Sequence, residues 1–275
     1  MSTITAASET SPVATTAAKT ALVTGASSGL GREFAYALAE QGYNLVISAR
    51  RRDRLMTLRG EIQERYGREC QLVMADLATN EGVRNLIAAC DALPQPIDTL
   101  ISNAGWGQYG NFLEQTPTQI EDLLSVNVVA ATLLIRHFAG TMAARGEGRI
   151  LHVASYAGLQ PLPRYSVYSG SKSFGIVLME CLKYELRKTP LKLSVLAPGF
   201  METEFHQVAA HKQTRWMRRL QLDPRKVALA GLAGLDRGKT VITPGLGYKL
   251  NKLFLRLIPR SWNVALGAAV VKSKG

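Results

Sequence analysis

The sequence predicts an α/β fold: one domain with a doubly wound parallel sheet of about seven strands, flanked by helices. Three observations predict it. From Thr20 onward, short β-branched apolar runs alternate with longer helical patterns, and strands buried on both faces read as such near-continuous apolar runs. No linker and no repeat divides the 275 residues, a length that one large α/β domain with a sizeable core accommodates. A glycine-rich turn follows the first strand-like run, at the end of the strand where open α/β sheets bind their ligands.

The elements follow in order. TALVTG (20–25) is the first strand and 29–42 the first helix. NLVISA (44–49) precedes a helix at 52–66, and QLVMA (71–75) precedes one at 80–92. DTLIS (98–102), a helix at 117–144 and GRILHVAS (148–155) come next. A helix at 167–188, LKLSVLA (191–197), a helix at 224–236 and KTVITP (239–244) complete the series. Parallel neighbours require right-handed crossovers. Residues 200–222 are long for a strand-to-helix connection and carry Phe200, Phe205, Trp216 and Met217. Long connections in compact domains are usually functional or disordered, and bulky apolar side chains point to a lid over a pocket.

The domain proper is expected over 19–247, with 248–275 as a basic amphipathic extension of it. Residues 1–18 are rich in Ser, Thr and Ala. They lack the basic start and apolar centre of a secretion signal and the Arg of a transit peptide, so they read as a disordered lead-in. No run of eighteen uninterrupted apolar residues offers a transmembrane span. Cys70, Cys90 and Cys181 are odd in number and widely spaced, which suits a reducing, cytoplasmic setting and argues against disulfides or a metal site. The net charge of +12 lies wholly in residues 205–275, where 14 Lys and Arg face only Asp223 and Asp236. The remainder is balanced and no nucleic-acid motif accompanies the basic tail, so nucleic acid is not the expected partner.

Gly25, Gly29 and Gly31 lie between a strand and an amphipathic helix. A diphosphate needs close backbone approach, and a helix N-terminus supplies free N–H groups and a favourable dipole. A Rossmann-type unit that prefers NAD ends its second strand on a carboxylate, which bonds the ribose 2′-hydroxyl. Here Ala49 is followed by Arg50, Arg51 and Arg52. Guanidinium groups pair with a 2′-phosphate, so the reading is NADP(H), with Arg50 the leading candidate. Arg51 and Arg52 also read as a solvated helix start.

Tyr168 and Lys172 stand four apart, one helical turn. A free phenol is a poor base at neutral pH, and a neighbouring ammonium group lowers its pKa, giving a general acid/base. Ser155 closes the fifth strand, where a hydroxyl can donate to a carbonyl oxygen while Tyr168 delivers the proton.

TGASSGLG (24–31), NAG (103–105), Asn127, Ser155, YSGSK (168–172) and PG (198–199) resemble, in order and interval, the short-chain dehydrogenase/reductase family. The resemblance spans residues 20 to about 245 and looks like a bacterial branch whose substrates are often unassigned. It implies that Tyr168 is the catalytic acid/base, that Lys172 lowers its pKa and bonds the nicotinamide ribose, and that Ser155 polarises the carbonyl. Asn127 would hold a water relaying protons to Lys172. Gly25, Ser27, Ser28, Gly29, Leu30 and Gly31 would cradle the cofactor, with Asn103, Ala104 and Gly105 lining its crevice. Asp76 and Leu77 would meet the adenine, although Asp76 also suits a helix N-cap. Pro198, Gly199 and Thr203 would approach the carboxamide. The family often forms homodimers or homotetramers through its long helices, here 117–144 and 167–188.

Trp106, Tyr109, Tyr156, residues 159–163, Phe200 and Phe205 are candidate pocket residues, and their aromatic character favours an apolar or aromatic ketone or aldehyde as the carbonyl or alcohol substrate. A dinucleotide-binding regulatory protein without turnover is the alternative. KLNKLFLRLIPRSW (249–262) interleaves cations with leucines. It reads either as a helix pair packed over the cleft or a neighbouring subunit, or as a peripheral contact with an anionic membrane and a lipid-like substrate.

Overall fold

A computed structural model describes residues 18–201 and 220–271. Seven parallel strands form one sheet in the order β3-β2-β1-β4-β5-β6-β7. They are β1 (Thr20–Thr24), β2 (Asn44–Ala49), β3 (Cys70–Met74), β4 (Ile97–Ser102), β5 (Arg149–Val153), β6 (Lys192–Leu196) and β7 (Val241–Ile242). The chain winds outward from β1 through β3, then returns to place β4 on the other side of β1. The crevice at the C-terminal ends of β1 and β4 is therefore the topological switch point, where such sheets bind ligands.

Helices cover both faces. On one lie α1 (Gly29–Glu40), α2 (Arg52–Tyr66) and α7 (Pro224–Asp236), whose Phe34, Leu38, Leu55, Ile62, Leu232 and Leu235 are buried together. On the other lie α3 (Asn80–Asp91), α5 (Ala131–Arg145) and α6 (Ser166–Glu185), burying Leu86, Leu134, Ile135, Phe138, Ile176 and Met179.

Two elements differ from expectation. The helix expected over 117–144 is α4 (Pro117–Leu124), one π-helical stretch (Ser125–Ala130) and α5. A π stretch widens the helix by one residue and is frequent at functional sites; this one holds Asn127. Among the described residues the whole run Pro117–Arg145 is long and apolar enough to cross a membrane, yet its apolar face lies in the core under the sheet. The seventh strand is two residues, not six. Pro244 lacks an N–H and Gly245 has φ +85°, so the edge strand stops there. Beyond it stand α8 (Leu246–Leu255) and α9 (Arg260–Val271).

Candidate active site

Backbone meets backbone at the switch point. Gly25 has φ +68°, and a Cβ there would lie 2.9 Å from Ala104 Cα; one on Gly31 would lie 2.3 Å from the Gly25 carbonyl oxygen. Thr24 Oγ1 accepts from the N–H groups of Asn103 and Ala104, both at 3.0 Å. Asn103 Nδ2 donates back to the Thr24 carbonyl at 2.9 Å. The glycine turn and the 103–105 loop are thus one unit, and Thr24 organises it. The first turn of α1 contains no acid, and its N-cap Ser28 makes no side-chain capping bond. A glycine-lined turn of small residues ending on uncapped helical N–H groups fits a dinucleotide diphosphate.

The arginines divide differently from the reading of the sequence. Arg50 is exposed and lies 4.0 Å from Asp76 Oδ1. Arg51 crosses to the glycine turn, with Nη2 donating to Ser27 Oγ at 3.1 Å and Ser28 Oγ at 2.9 Å. Its signal was present in the topology: β2 runs parallel beside β1, so the residue after one strand borders the turn after the other. Asp76 is not a helix cap. Its Oδ1 accepts from Ala78 N at 3.1 Å, and Thr79 caps α3 by accepting from Gly82 N. Leu77 is buried beside it.

At the other end of the crevice Tyr168 and Lys172 share one face of α6, and both are buried. Ser155, just past β5, caps a short 3-10 turn at Tyr156–Gly158 and accepts from Ala157 N at 3.1 Å. It is also hydrogen-bonded to the Tyr168 hydroxyl. Lys172 Nζ donates to the Val153 carbonyl at 3.0 Å and lies 5.9 Å from the Tyr168 ring centroid. A Cβ on Gly105 would stand 2.9 Å from Lys172 Nζ and 3.0 Å from Asn127 Oδ1, so a larger residue there would push at least one of the two side chains aside. Asn127 is spent on structure: Nδ2 donates to the Trp106 carbonyl at 2.9 Å and to Ser171 Oγ at 3.0 Å, while Oδ1 accepts from Trp106 N at 3.1 Å. A water relay through this side chain has only the second lone pair of Oδ1 to use.

The electrostatics reverse one expectation. Burial pushes the Tyr168 phenol up to about 12, against a lowering by Ser155. Burial likewise pulls Lys172 down to about 8. The interior disfavours both charged forms, and in this state that outweighs any acidifying effect of the ammonium group.

An aromatic wall adjoins Tyr168. Trp106, Tyr109, Leu162, Tyr165 and Val271 pack in its cluster, with Tyr165 bridging Tyr109 and Tyr168 at ring separations of 5.2 and 5.8 Å. Tyr109 also donates to the Val271 carbonyl at 3.2 Å, so the last helix closes this side. Tyr156 is engaged elsewhere. Its hydroxyl accepts from Asn251 Nδ2 at 2.8 Å and its ring lies 5.0 Å from Tyr248. Pro198 accepts from Tyr156 N at 2.8 Å, and Gly199 lies against the Tyr248 ring. The Tyr248 hydroxyl accepts from Phe200 N at 2.9 Å and donates to the Leu220 carbonyl at 3.2 Å. Thr203, Phe205, Trp216 and Met217 fall outside the described residues. Among the described residues no group of three or more His, Cys, Asp or Glu could hold a metal.

Comparison with known proteins agrees with this geometry. A family model described as short chain dehydrogenase matches residues 19–214. A short-chain dehydrogenase from Sphingobium yanoikuyae solved with NADPH superposes with TM-score 0.79 at 29% identity, covering 87% of this chain and 93% of that one. A bulky-bulky ketone specific alcohol dehydrogenase from Comamonas testosteroni gives 0.76 at 28% identity, covering 88% and 93%. A short chain dehydrogenase/reductase from Burkholderia phymatum in complex with NAD gives 0.77 at 25% identity, covering 94% and 98%.

Proposed function

The chain belongs to the short-chain dehydrogenase family, and from that premise we propose that it is an NADPH-dependent reductase of apolar or aromatic ketones or aldehydes. The observation that carries the proposal is the Ser155–Tyr168–Lys172 group beside Gly105, with Tyr168 and Lys172 buried and Ser155 partly open to the crevice. NADPH in place of NADH is supported by Arg50 and Arg51 after β2, with no carboxylate on Ala49. The aromatic wall supports the substrate class, as does the likeness to a bulky-ketone enzyme.

Gly25, Ser27, Ser28, Gly29, Leu30 and Gly31 would hold the diphosphate. Asn103 to Gly105 and Pro198–Gly199 would flank the nicotinamide, which supplies the hydride when bound. Ser155 and Tyr168 hydrogen-bond the substrate oxygen and stabilise the charge that develops on it. A phenol held protonated by burial is in the right state to give its proton to that oxygen. The tyrosinate left behind is a strong base, and Lys172, with a depressed pKa, is the neighbouring group able to reprotonate it.

The test is a panel of aryl and bulky alkyl ketones assayed at the nicotinamide absorbance with NADPH and with NADH. Turnover with NADPH in the native chain is expected. Tyr168→Phe should retain NADPH binding but lose roughly a hundredfold or more in kcat, and normal turnover in that variant would refute the assignment. Arg50→Asp should shift preference toward NADH. Binding of NADPH without turnover on any carbonyl or alcohol would favour a regulatory dinucleotide-binding protein instead. We also infer a homodimer or homotetramer through the long helices, on the strength of the exposed Leu133, Phe174 and Val177 along α5 and α6.

A further inference from the structure

A cavity of about 620 Å³ lies on the far side of β7 from β6, between α7 and α8. Lys226, Arg237, Lys239, Lys249 and Lys252 all line it, and Asp223 is its single acid. That carboxylate is occupied, since Oδ1 accepts from the N–H groups of Arg225 and Lys226 as the N-cap of α7. None of the five cations makes a salt bridge within the described residues. Burial and, less so, the nearby Arg256 hold Lys252 below the usual lysine range against a raising by Glu180. Thr243 lines the same cavity, is buried, and has no hydrogen-bond partner for Oγ1 among the described residues. Five cations lining one cleft, together with an unsatisfied hydroxyl, make a site that gains from an anion.

The neighbouring surface identifies which anion. Leu246, Leu250 and Leu253 recur at helical spacing on the outside of α8, Leu257 follows in the turn after it, and the four are 59–78% exposed. Phe254 on α8 and Trp262 on α9 are exposed as well. Lys249 and Lys252, on the same helix as this stripe, line the cavity, and Arg256 follows as the C-cap of α8. A free phosphate has no use for the leucines. A second copy meeting through the same face would oppose five cations to five, a repulsive arrangement. We propose that this cleft and the leucine face of α8 form a docking surface for an anionic phospholipid bilayer, the cations pairing with headgroup phosphates and the leucines entering the acyl boundary. The inner side of the same helix carries Tyr248 and Asn251, which hold Gly199, Phe200 and Tyr156, so docking would seat the membrane one helix away from the catalytic crevice.

The test is flotation of the full chain with vesicles of phosphatidylcholine alone or mixed equally with phosphatidylglycerol, together with its elution volume on size exclusion. Binding to the anionic vesicles only, released by high salt, is expected. Lys249→Glu/Lys252→Glu and, separately, Leu250→Asp/Leu253→Asp should each weaken it roughly tenfold or more, with circular dichroism and turnover unchanged. Three results would overturn the proposal: no binding to anionic vesicles at low salt, binding insensitive to both double variants, or stabilisation by inorganic phosphate without vesicle binding. A native dimer that the leucine variant converts to monomer, with no vesicle binding, would assign the face to a second copy. Because turnover is read separately, failure of this proposal and failure of the reductase reading are distinguishable.

Discussion

At the scale of single residues, Lys172 and Tyr168 govern how the molecule responds to pH. The lysine falls from 10.5 in the unfolded chain to about 8 on folding. Between those values the unfolded state binds more protons, so stability rises with pH and the cost of burying the cation disappears. The tyrosine moves from 10.0 up to about 12. Its neutral form stabilises the fold below pH 10, and that contribution is lost as pH climbs toward 12. Lysine therefore acts without opposition from Tyr168 between about pH 8 and 10. Urea unfolding at fixed temperature should show the native chain gaining about 2–3 kcal/mol over that window relative to Lys172→Met, which keeps every other titrating group. Catalysis should move the other way. Deprotonation of Lys172 removes the donor that restores the phenol, so kcat/KM for ketone reduction should decline above about pH 8 in a pH profile. Both side chains were legible as a pair in the sequence. The sign of the phenol's shift was not, because burial depends on what surrounds the helix. Arg51 was hidden for a similar reason: only the pairing of β1 with β2 brings it onto Ser27 and Ser28. Arg51→Ala should raise the NADPH dissociation constant roughly tenfold by removing a charge-assisted contact near the phosphates, measured by fluorescence titration.

Among the elements, the glycine turn and the π stretch carry the tightest constraints. Gly31→Ala would drive a methyl group into the Gly25 carbonyl. NADPH binding should fall below detection in that titration while the far-UV spectrum remains that of an α/β protein. Asn127→Ala leaves the partly buried N–H and carbonyl of Trp106 without their side-chain partner. Thermal unfolding should report a loss of about 1–3 kcal/mol. The strands were readable because sheet interiors demand continuous apolar runs, and β2 spans the same residues expected from the sequence, Asn44–Ala49. The π stretch left no trace in SVNVVA, since one extra residue does not interrupt an apolar helical pattern. The brevity of β7 was signalled by Pro244, whose effect outweighed the β-branched run before it.

For the molecule as a whole, the C-terminal helices belong to the catalytic architecture. α9 ends against Tyr109, and Val271 shares a cluster with Leu123, Tyr165 and Tyr168. Deleting residues 260–275 should leave NADPH affinity near native while lowering kcat/KM for bulky ketones several-fold, since the aromatic wall loses its outer support. The sequence presented the tail as either packing or membrane-seeking; the structure gives its helices an inner face that packs and an outer face that does not.

Tyr248 joins Phe200 to Leu220 through one hydroxyl group, and Leu222 N donates to the Phe200 carbonyl at 2.8 Å. Phe200 and Leu220–Leu222, which bound residues 202–219 in the sequence, are therefore held next to one another. Closing such an insert costs little more entropy when it is lengthened. Grafts of foreign sequence between those anchors should be tolerated by the fold, which makes this position the natural place for evolution, or an engineer, to alter selectivity, with Thr203 kept for its expected place at the carboxamide.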